Sequence, residues 1–168
     1  LRALGIQPDV LVCRSERPIP TDVKGKIAEF CDVEPEAVLG AHDVSSVYEI
    51  PLVFAEQSVD DIVLRLLHIE TKPRDLTQWS AMLDRMKNPT GEVAIGLVGK
   101  YTEYEDSYKS LKEALLHGAT AHGLKAQLTW IDSETLHWPE CERTLEPYDA
   151  ILVPGGFGKR GVEGKINA

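Results

Sequence analysis

Ala150-Ile-Leu-Val-Pro-Gly-Gly-Phe-Gly-Lys-Arg-Gly-Val-Glu-Gly-Lys165 is a strand running into a glycine loop. Ile151, Leu152 and Val153 form a short apolar run suited to a strand buried on both faces. Pro154 ends it. Gly155 and Gly156 let backbone N–H groups turn toward a small anionic or carbonyl group with no Cβ in the way. The same glycines would also serve a tight turn that holds nothing.

Working outward, the strand completes a parallel α/β unit. Val93 to Val98 reads as its first strand, Asp106 to His117 as an amphipathic helix, and Ala126 to Ile131 as a second strand. Thr135 to Glu146 reads as a polar, irregular connection before the third strand, Tyr148 to Val153. Parallel strands with crossover helices place ligands at their carboxyl ends, where the loops 99–105 and 155–161 lie. Asn88-Pro-Thr-Gly91 is the clearest punctuation in the chain and reads as a domain boundary.

Upstream of that boundary the pattern is also α/β. Asp9 to Arg14 is a buried-strand pattern, and Thr21 is placed to cap a helix through Val23, Ile27, Ala28 and Phe30. Ala37 to Ala41 is a second strand, ending at His42-Asp-Val44, and Ser45 to Tyr48 a helical turn. Leu52 to Leu67 is helical, with Ile62, Leu66 and Ile69 on one face. A short helix opened by Asp75 or Thr77 then runs through Trp79, Leu83 and Met86. Leu1 to Gly5 reads as a last helical turn stopped by glycine, with no initiator methionine, so the chain reads as an internal segment.

Composition narrows the function. The 168 residues carry 43% hydrophobic and 27% charged residues, those of a soluble globular protein. A net charge of −9 argues against a nucleic-acid surface, which needs clustered Lys and Arg. Cys13, Cys31 and Cys141 lack C-x-x-C spacing and suit reduced thiols in a cytosol. No apolar run approaches a membrane span or a signal segment. His68, His117, His122 and His137 show no metal-ligand spacing.

Gly156-Phe-Gly158-Lys-Arg-Gly161 matches G-x-G-x-x-G, the dinucleotide-binding pattern. That pattern belongs to a first βα turn, whereas here two strands precede it in the same unit. Walker A fails, because Ile166 stands where Ser or Thr is needed.

Four blocks taken in order carry more weight. Val93-Ala-Ile-Gly-Leu-Val-Gly-Lys-Tyr101, Asp106-Ser-Tyr-Lys-Ser110 with Glu113 to Leu115, Trp130-Ile-Asp-Ser-Glu134, and the Ile151 to Ile166 stretch resemble the start of the glutaminase domain of the CTP synthase family. Gly5 to Ser15, Lys26 to Cys31 and His42 to Tyr48 with Pro51 resemble the end of that family's synthetase domain. The resemblance implies three parts. Residues 1–51 would end a Rossmann-like, P-loop-type synthetase domain, 52–91 would form a helical interdomain linker, and 92–168 would begin a flavodoxin-like class I glutamine amidotransferase domain.

It further implies a two-site enzyme. One site releases ammonia from glutamine; the other uses ATP and Mg²⁺ to phosphorylate UTP at O4 before ammonia displaces the phosphate to give CTP. GTP is the activator, CTP the product and inhibitor, the assembly a homotetramer and the location cytoplasmic. By the family pattern Gly155 supplies the oxyanion-hole donor, worth roughly 3–4 kcal/mol, and Gly156 contacts glutamine. Lys26 contacts the UTP or CTP phosphates, although read alone it is one more exposed helix lysine beside Lys24. His42, Asp43 and Val44 contact the adenine of ATP through backbone groups, with Arg14 beside the nucleotide. Phe157 and Arg160 fall on the lid where GTP acts; a packed Phe and a solvated Arg is the other reading.

A glutaminase of this class needs a thiolate in a G-x-C-x-G elbow, a His base and an orienting carboxylate. None of the three cysteines has that context, and no metal ligands are expected in this segment. These residues alone are therefore expected to be catalytically inactive. Two alternatives stand beside this: another class I amidotransferase, which the block from Gly5 to Tyr48 argues against, and a non-catalytic nucleotide-binding or interaction module. An open sheet edge in the second unit is expected as well.

Overall fold

The structure is a computed structural model and describes residues 4–100, 105–156 and 158–168. It is a mixed α/β chain with two parallel sheets, divided into two compact units, Leu1–Ser80 and Ala81–Ala168.

In the first unit β1 (Leu11–Ser15) pairs in parallel with β2 (Val38–His42), Leu11 opposite Val38 and Ser15 opposite His42. The crossover is α1 (Thr21–Cys31). Thr21 does not cap it: Pro20, in extended backbone, occupies the N-cap position and no side chain caps the helix. Proline fixes φ near the value a helix entry needs, so the helix starts without the hydroxyl. The expected long helix is broken in two, α2 (Ile50–Glu56) and α3 (Val59–Leu66), with Ser58 between them at φ 54°. Val59, Ile62 and Leu66 share one face of α3 and pack on Ala37 and Leu39 with Val10. Ile69 lies beyond the helix and is exposed.

Arg74 ties the irregular stretch after α3 down, reaching Asp60, Asp61 at 3.3 Å and the Ala55 carbonyl at 2.8 Å. Asp75 Oδ1 accepts from Thr77 N (2.9 Å) where α4 (Thr77–Lys87) begins. Trp79 is structural, donating Nε1–H to the Tyr48 carbonyl at 2.8 Å.

In the second unit the strand order is β4-β3-β5, all parallel. β3 (Gly91–Gly99) is central and pairs with β4 (Leu124–Asp132) along its whole length, from Gly91–Leu124 to Gly99–Asp132. Among the described residues β5 (Ala150–Leu152) pairs with β3, from Ile95–Ala150 to Leu97–Leu152. Ile151 and Leu152 are half-buried in these 168 residues, and Val153 is exposed. Asp149 adds a rung below it: its N–H donates to Ala94 O (2.9 Å) and its Oδ2 accepts from Ala94 N (2.8 Å).

The helix after β3, α5 (Lys109–Ala121), comes after a 3₁₀ turn at Glu105–Tyr108 and packs along β4. The connection from Thr135 to Glu146 is more ordered than its polarity suggests. It contains α6 (Glu140–Leu145), and Leu136 and Cys141 join Val98 and Ile131 in the buried core. Leu145, Tyr148 and Ile151 pack on that core. A short helix, α7 (Val162–Asn167), succeeds the glycine loop.

Candidate functional site

Two regions at strand carboxyl ends gather most of the residues singled out above. In the first unit, Arg14, His42, Asp43 and Val44 line one cleft of about 340 Å³ together with Val47 and Ile50. The topology makes this cleft. Both strands run the same way and end together, so Arg14, near the end of β1, stands beside Asp43, just past β2. Asp43 N continues the ladder by donating to Ser15 O at 3.0 Å. Arg14 donates Nε–H (3.0 Å) and Nη2–H (2.5 Å) to Asp43 Oδ1. Both side chains are largely exposed, so this ion pair adds at most about 1 kcal/mol and acts mainly to set the shape of the cleft wall.

A neighbouring cleft has no signal in the sequence. Pro18, Ile19, Lys24, Gly40, His42, Val53, Glu56 and Gln57 surround about 270 Å³. His42 lines both clefts. Lys24 donates to Gln57 Oε1 at 2.8 Å. Lys26 lies exposed on the same helix and lines neither cleft. Two residues along an α-helix are about 200° apart in azimuth, so the two lysines face opposite ways.

In the second unit the loop 153–161 leaves the end of β5 with Gly155 and Gly156 exposed. A Cβ on Gly155 would meet nothing within 4 Å, whereas one on Gly156 would sit 3.3 Å from Lys165 Nζ and 3.9 Å from Lys100 Cδ. Lys100 stands just past the end of β3 and is buried. Lys165, from α7, donates to Pro154 O at 2.7 Å. Two ammonium-bearing side chains thus flank the glycines, which raises the positive potential where an oxyanion or carboxylate would sit. Neither lysine stood out in the sequence, because a lone lysine after a strand or on a short helix carries no pattern.

Arg160 is exposed yet tethered. Its Nη2–H donates to Lys100 O at 2.8 Å and its Nε pairs with Glu134. Phe157 lies outside the described residues. Beneath this loop, Gly161 (φ 68°) and Gly164 press on Ser133, which is buried. Ser133 Oγ has no hydrogen-bond partner among the described residues. Cys141 is 2% exposed within the apolar core, which removes it from the loop's chemistry. No group of three or more His, Cys, Asp or Glu among the described residues is arranged to hold a metal ion. No described helix is long and apolar enough to cross a membrane.

Comparison with known proteins agrees with this two-part arrangement. Residues 1–69 match the family model for the CTP synthase N-terminus, and residues 103–168 match that for class-I glutamine amidotransferases. CTP synthase of Acidobacterium capsulatum is 60% identical over 166 residues, covering 99% of this chain and 30% of the relative. CTP synthase of Koribacter versatilis is 53% identical over 169 residues, again 99% of this chain and 30% of the relative. CTP synthase of Hydrogenobaculum sp. is 49% identical over 168 residues, 100% of this chain and 31% of the relative. The chain therefore spans about 30% of the length of the curated relatives it matches. Because the two models fall in that order on one chain, and the likeness runs through the stretch between them, the chain belongs to the CTP synthase family.

Proposed function

We propose that the full-length protein carrying this chain makes CTP from UTP, with ATP as phosphoryl donor and glutamine as the source of ammonia. The ordered match to a synthetase model and an amidotransferase model carries this reading. In the glutaminase half, water and glutamine give glutamate and ammonia. In the synthetase half, the γ-phosphoryl of ATP passes to O4 of the uracil ring; ammonia then adds at C4 and phosphate leaves, giving CTP, ADP and phosphate.

The residues on hand take distinct parts in that scheme. The cleft at Arg14, His42, Asp43 and Val44 receives the adenine of ATP, read by backbone groups just past β2. Lys26 reaches a UTP or CTP phosphate from the exposed side of α1. Gly155 offers its N–H to the oxyanion of the tetrahedral intermediate and Gly156 lies against glutamine, with Lys100 and Lys165 adding positive potential. Arg160 and Phe157 belong to the lid on which GTP acts as activator, and the contacts of Arg160 to Lys100 O and Glu134 are what GTP would rearrange.

We divide the chain for this purpose into the end of a Rossmann-like, P-loop-type synthetase domain (1–51), a helical linker (52–91) and the start of a flavodoxin-like glutaminase domain (92–168). Mg²⁺ accompanies ATP in this reading and finds no ligand set among the described residues. Feedback by CTP, a homotetramer and a cytoplasmic location complete it. These 168 residues have no cysteine in a G-x-C-x-G context, so glutamine hydrolysis is not expected from them alone.

The test is CTP formation by the full-length protein from UTP and ATP, once with glutamine and once with ammonia. Product from both sources is expected. Product from ammonia alone would remove the glutaminase half, and no product from either would overturn the assignment.

A further inference from the structure

The side-chain amide of Gln57 is used to capacity, half of it on one strand residue. Oε1 accepts from Gly40 N at 2.8 Å and from Lys24 Nζ at 2.8 Å. Nε2 donates to Gly40 O at 2.8 Å and to Val53 O at 3.1 Å. Two donors and two acceptor positions exhaust what a glutamine has. The orientation of the amide is fixed by this set, since a flip would point NH₂ at both Gly40 N–H and an ammonium. Among the described residues β2 pairs with β1. On its other side Gly40 turns both N–H and C=O to Gln57, which satisfies both groups at that rung.

Gly40 lies two residues before His42, the residue shared by the two clefts, and three before Asp43. We propose that Gln57 is a positioning residue for ATP: by clamping Gly40 it fixes the height and twist of the His42–Val44 turn that reads the adenine. This rests on the assignment of ATP to that cleft. Three fasteners converge on the turn. Arg14 holds Asp43 by its carboxylate, Ser15 O holds Asp43 by its N–H, and Gln57 holds the strand just upstream. Recognition through backbone groups has no side-chain slack to absorb a shift, so a displacement near 1 Å in the turn acts directly on nucleotide affinity. Gln57 also pins Lys24 at the mouth of the adjoining cleft, so its loss changes the cleft wall as well as the strand.

The experiment uses the full-length protein with Gln57→Met, which keeps the volume and loses every hydrogen bond, and Gln57→Glu, which keeps the acceptors and loses both donors. Ammonia-dependent CTP formation is measured while ATP and UTP are varied in turn, alongside hydrogen exchange of the β2 amides. Loss of the donors that satisfy two backbone carbonyls predicts an ATP KM raised about tenfold in both variants. The kcat at saturating ATP and the UTP KM stay within about twofold, while Gly40 N–H loses protection in the Met variant. Unchanged ATP KM in a wild-type-active protein overturns the inference and leaves the proposed function standing. A loss of kcat and thermal stability with no change in ATP KM also overturns it, by making Gln57 purely structural. A wild-type protein that makes no CTP by either nitrogen source removes both readings together.

Discussion

Replacing Gly164 by alanine tests how α7 is seated beneath the glycine loop. A Cβ at that position would lie 1.6 Å from the Ser133 carbonyl oxygen and 2.7 Å from its carbonyl carbon. A carbon and a carbonyl oxygen approach to about 3.3 Å at closest, so the two must separate by roughly 1.7 Å. Ser133 has little room to retreat, because its N–H is bonded to Gly99 O at 2.9 Å at the end of the central strand. α7 must move instead. Moving it breaks Lys165 Nζ to Pro154 O and Asn167 Nδ2 to Leu136 O, and it uncovers Leu136, which is 1% exposed. Two hydrogen bonds at about 1 kcal/mol each, with partial exposure of one leucine, put the cost near 3 kcal/mol. The strain falls on the seat of α7 rather than on the sheet, so the cost appears as local undocking. Hydrogen exchange of Lys165 N–H and Ala168 N–H in the full-length protein is expected to accelerate about a hundredfold. Adding Ser133→Ala does not rescue it, since the clash is with backbone. The same Ser133→Ala change does ease Gly161→Ala, where the obstructing atom is Ser133 Oγ at 2.2 Å. Gly164→Ala with wild-type exchange, or full rescue by Ser133→Ala, would refute the packing argument.

Two further expectations rest on single contacts. Asp149→Ala removes the carboxylate that accepts from Ala94 N, and calorimetry is expected to show a loss of about 1 kcal/mol, with Ala94 N–H losing exchange protection; Asp149→Asn, which keeps an acceptor, recovers most of it. On the first unit, Arg65 donates to both carboxylate oxygens of Glu34, and that hydrogen bonding, then its charge, holds Glu34 below the usual glutamate range. A lowered carboxylate pKa means the stabilisation is present above the ordinary glutamate range and disappears as pH falls through the folded value. Arg65→Gln is expected to move the Glu34 carboxyl titration upward by NMR, and an unchanged titration would contradict the pairing.

Much of the framework could be read from apolar period and punctuation. Val93 to Val98 and Ala126 to Ile131 lie inside β3 and β4, and the Pro-Gly-Gly loop comes after a strand as its residues demand. α6 was also present in the pattern, since Cys141, Leu145 and Tyr148 recur at helical spacing and all face the core. The polarity of the residues between them hid it. The break at Gln57–Ser58 had no local signal. Neither residue is a helix breaker, and Ser58 takes a left-handed conformation that its type does not announce. The break coincides with a tertiary demand: Gln57 is claimed by Gly40, on a strand 17 positions earlier. The candidate sites divide the same way. Glycines and the His42–Val44 turn were visible because their residue types carry geometry. Lys24, Gln57, Lys100 and Lys165 gain their places only from what the fold brings beside them.

The unequal pairing of the central strand has a consequence for the order in which the second unit assembles. Gly91 meets Leu124, 33 positions later, while Ile95 meets Ala150, 55 positions later. The longer closure costs only about 0.5 kcal/mol more in chain entropy. The pairing gained on closure differs far more: nine paired positions reward β4, against three for β5. This imbalance favours β3–α5–β4 forming before β5 pairs with β3, and Asp149 fastens Ala94 at the start of that pairing. The glycine loop thus hangs from the strand with the shortest pairing of the three. A lesion that weakens β5 pairing without touching the loop, such as Asp149→Ala, is expected to leave β3–α5–β4 formed and the glycine-loop corner the part still unformed.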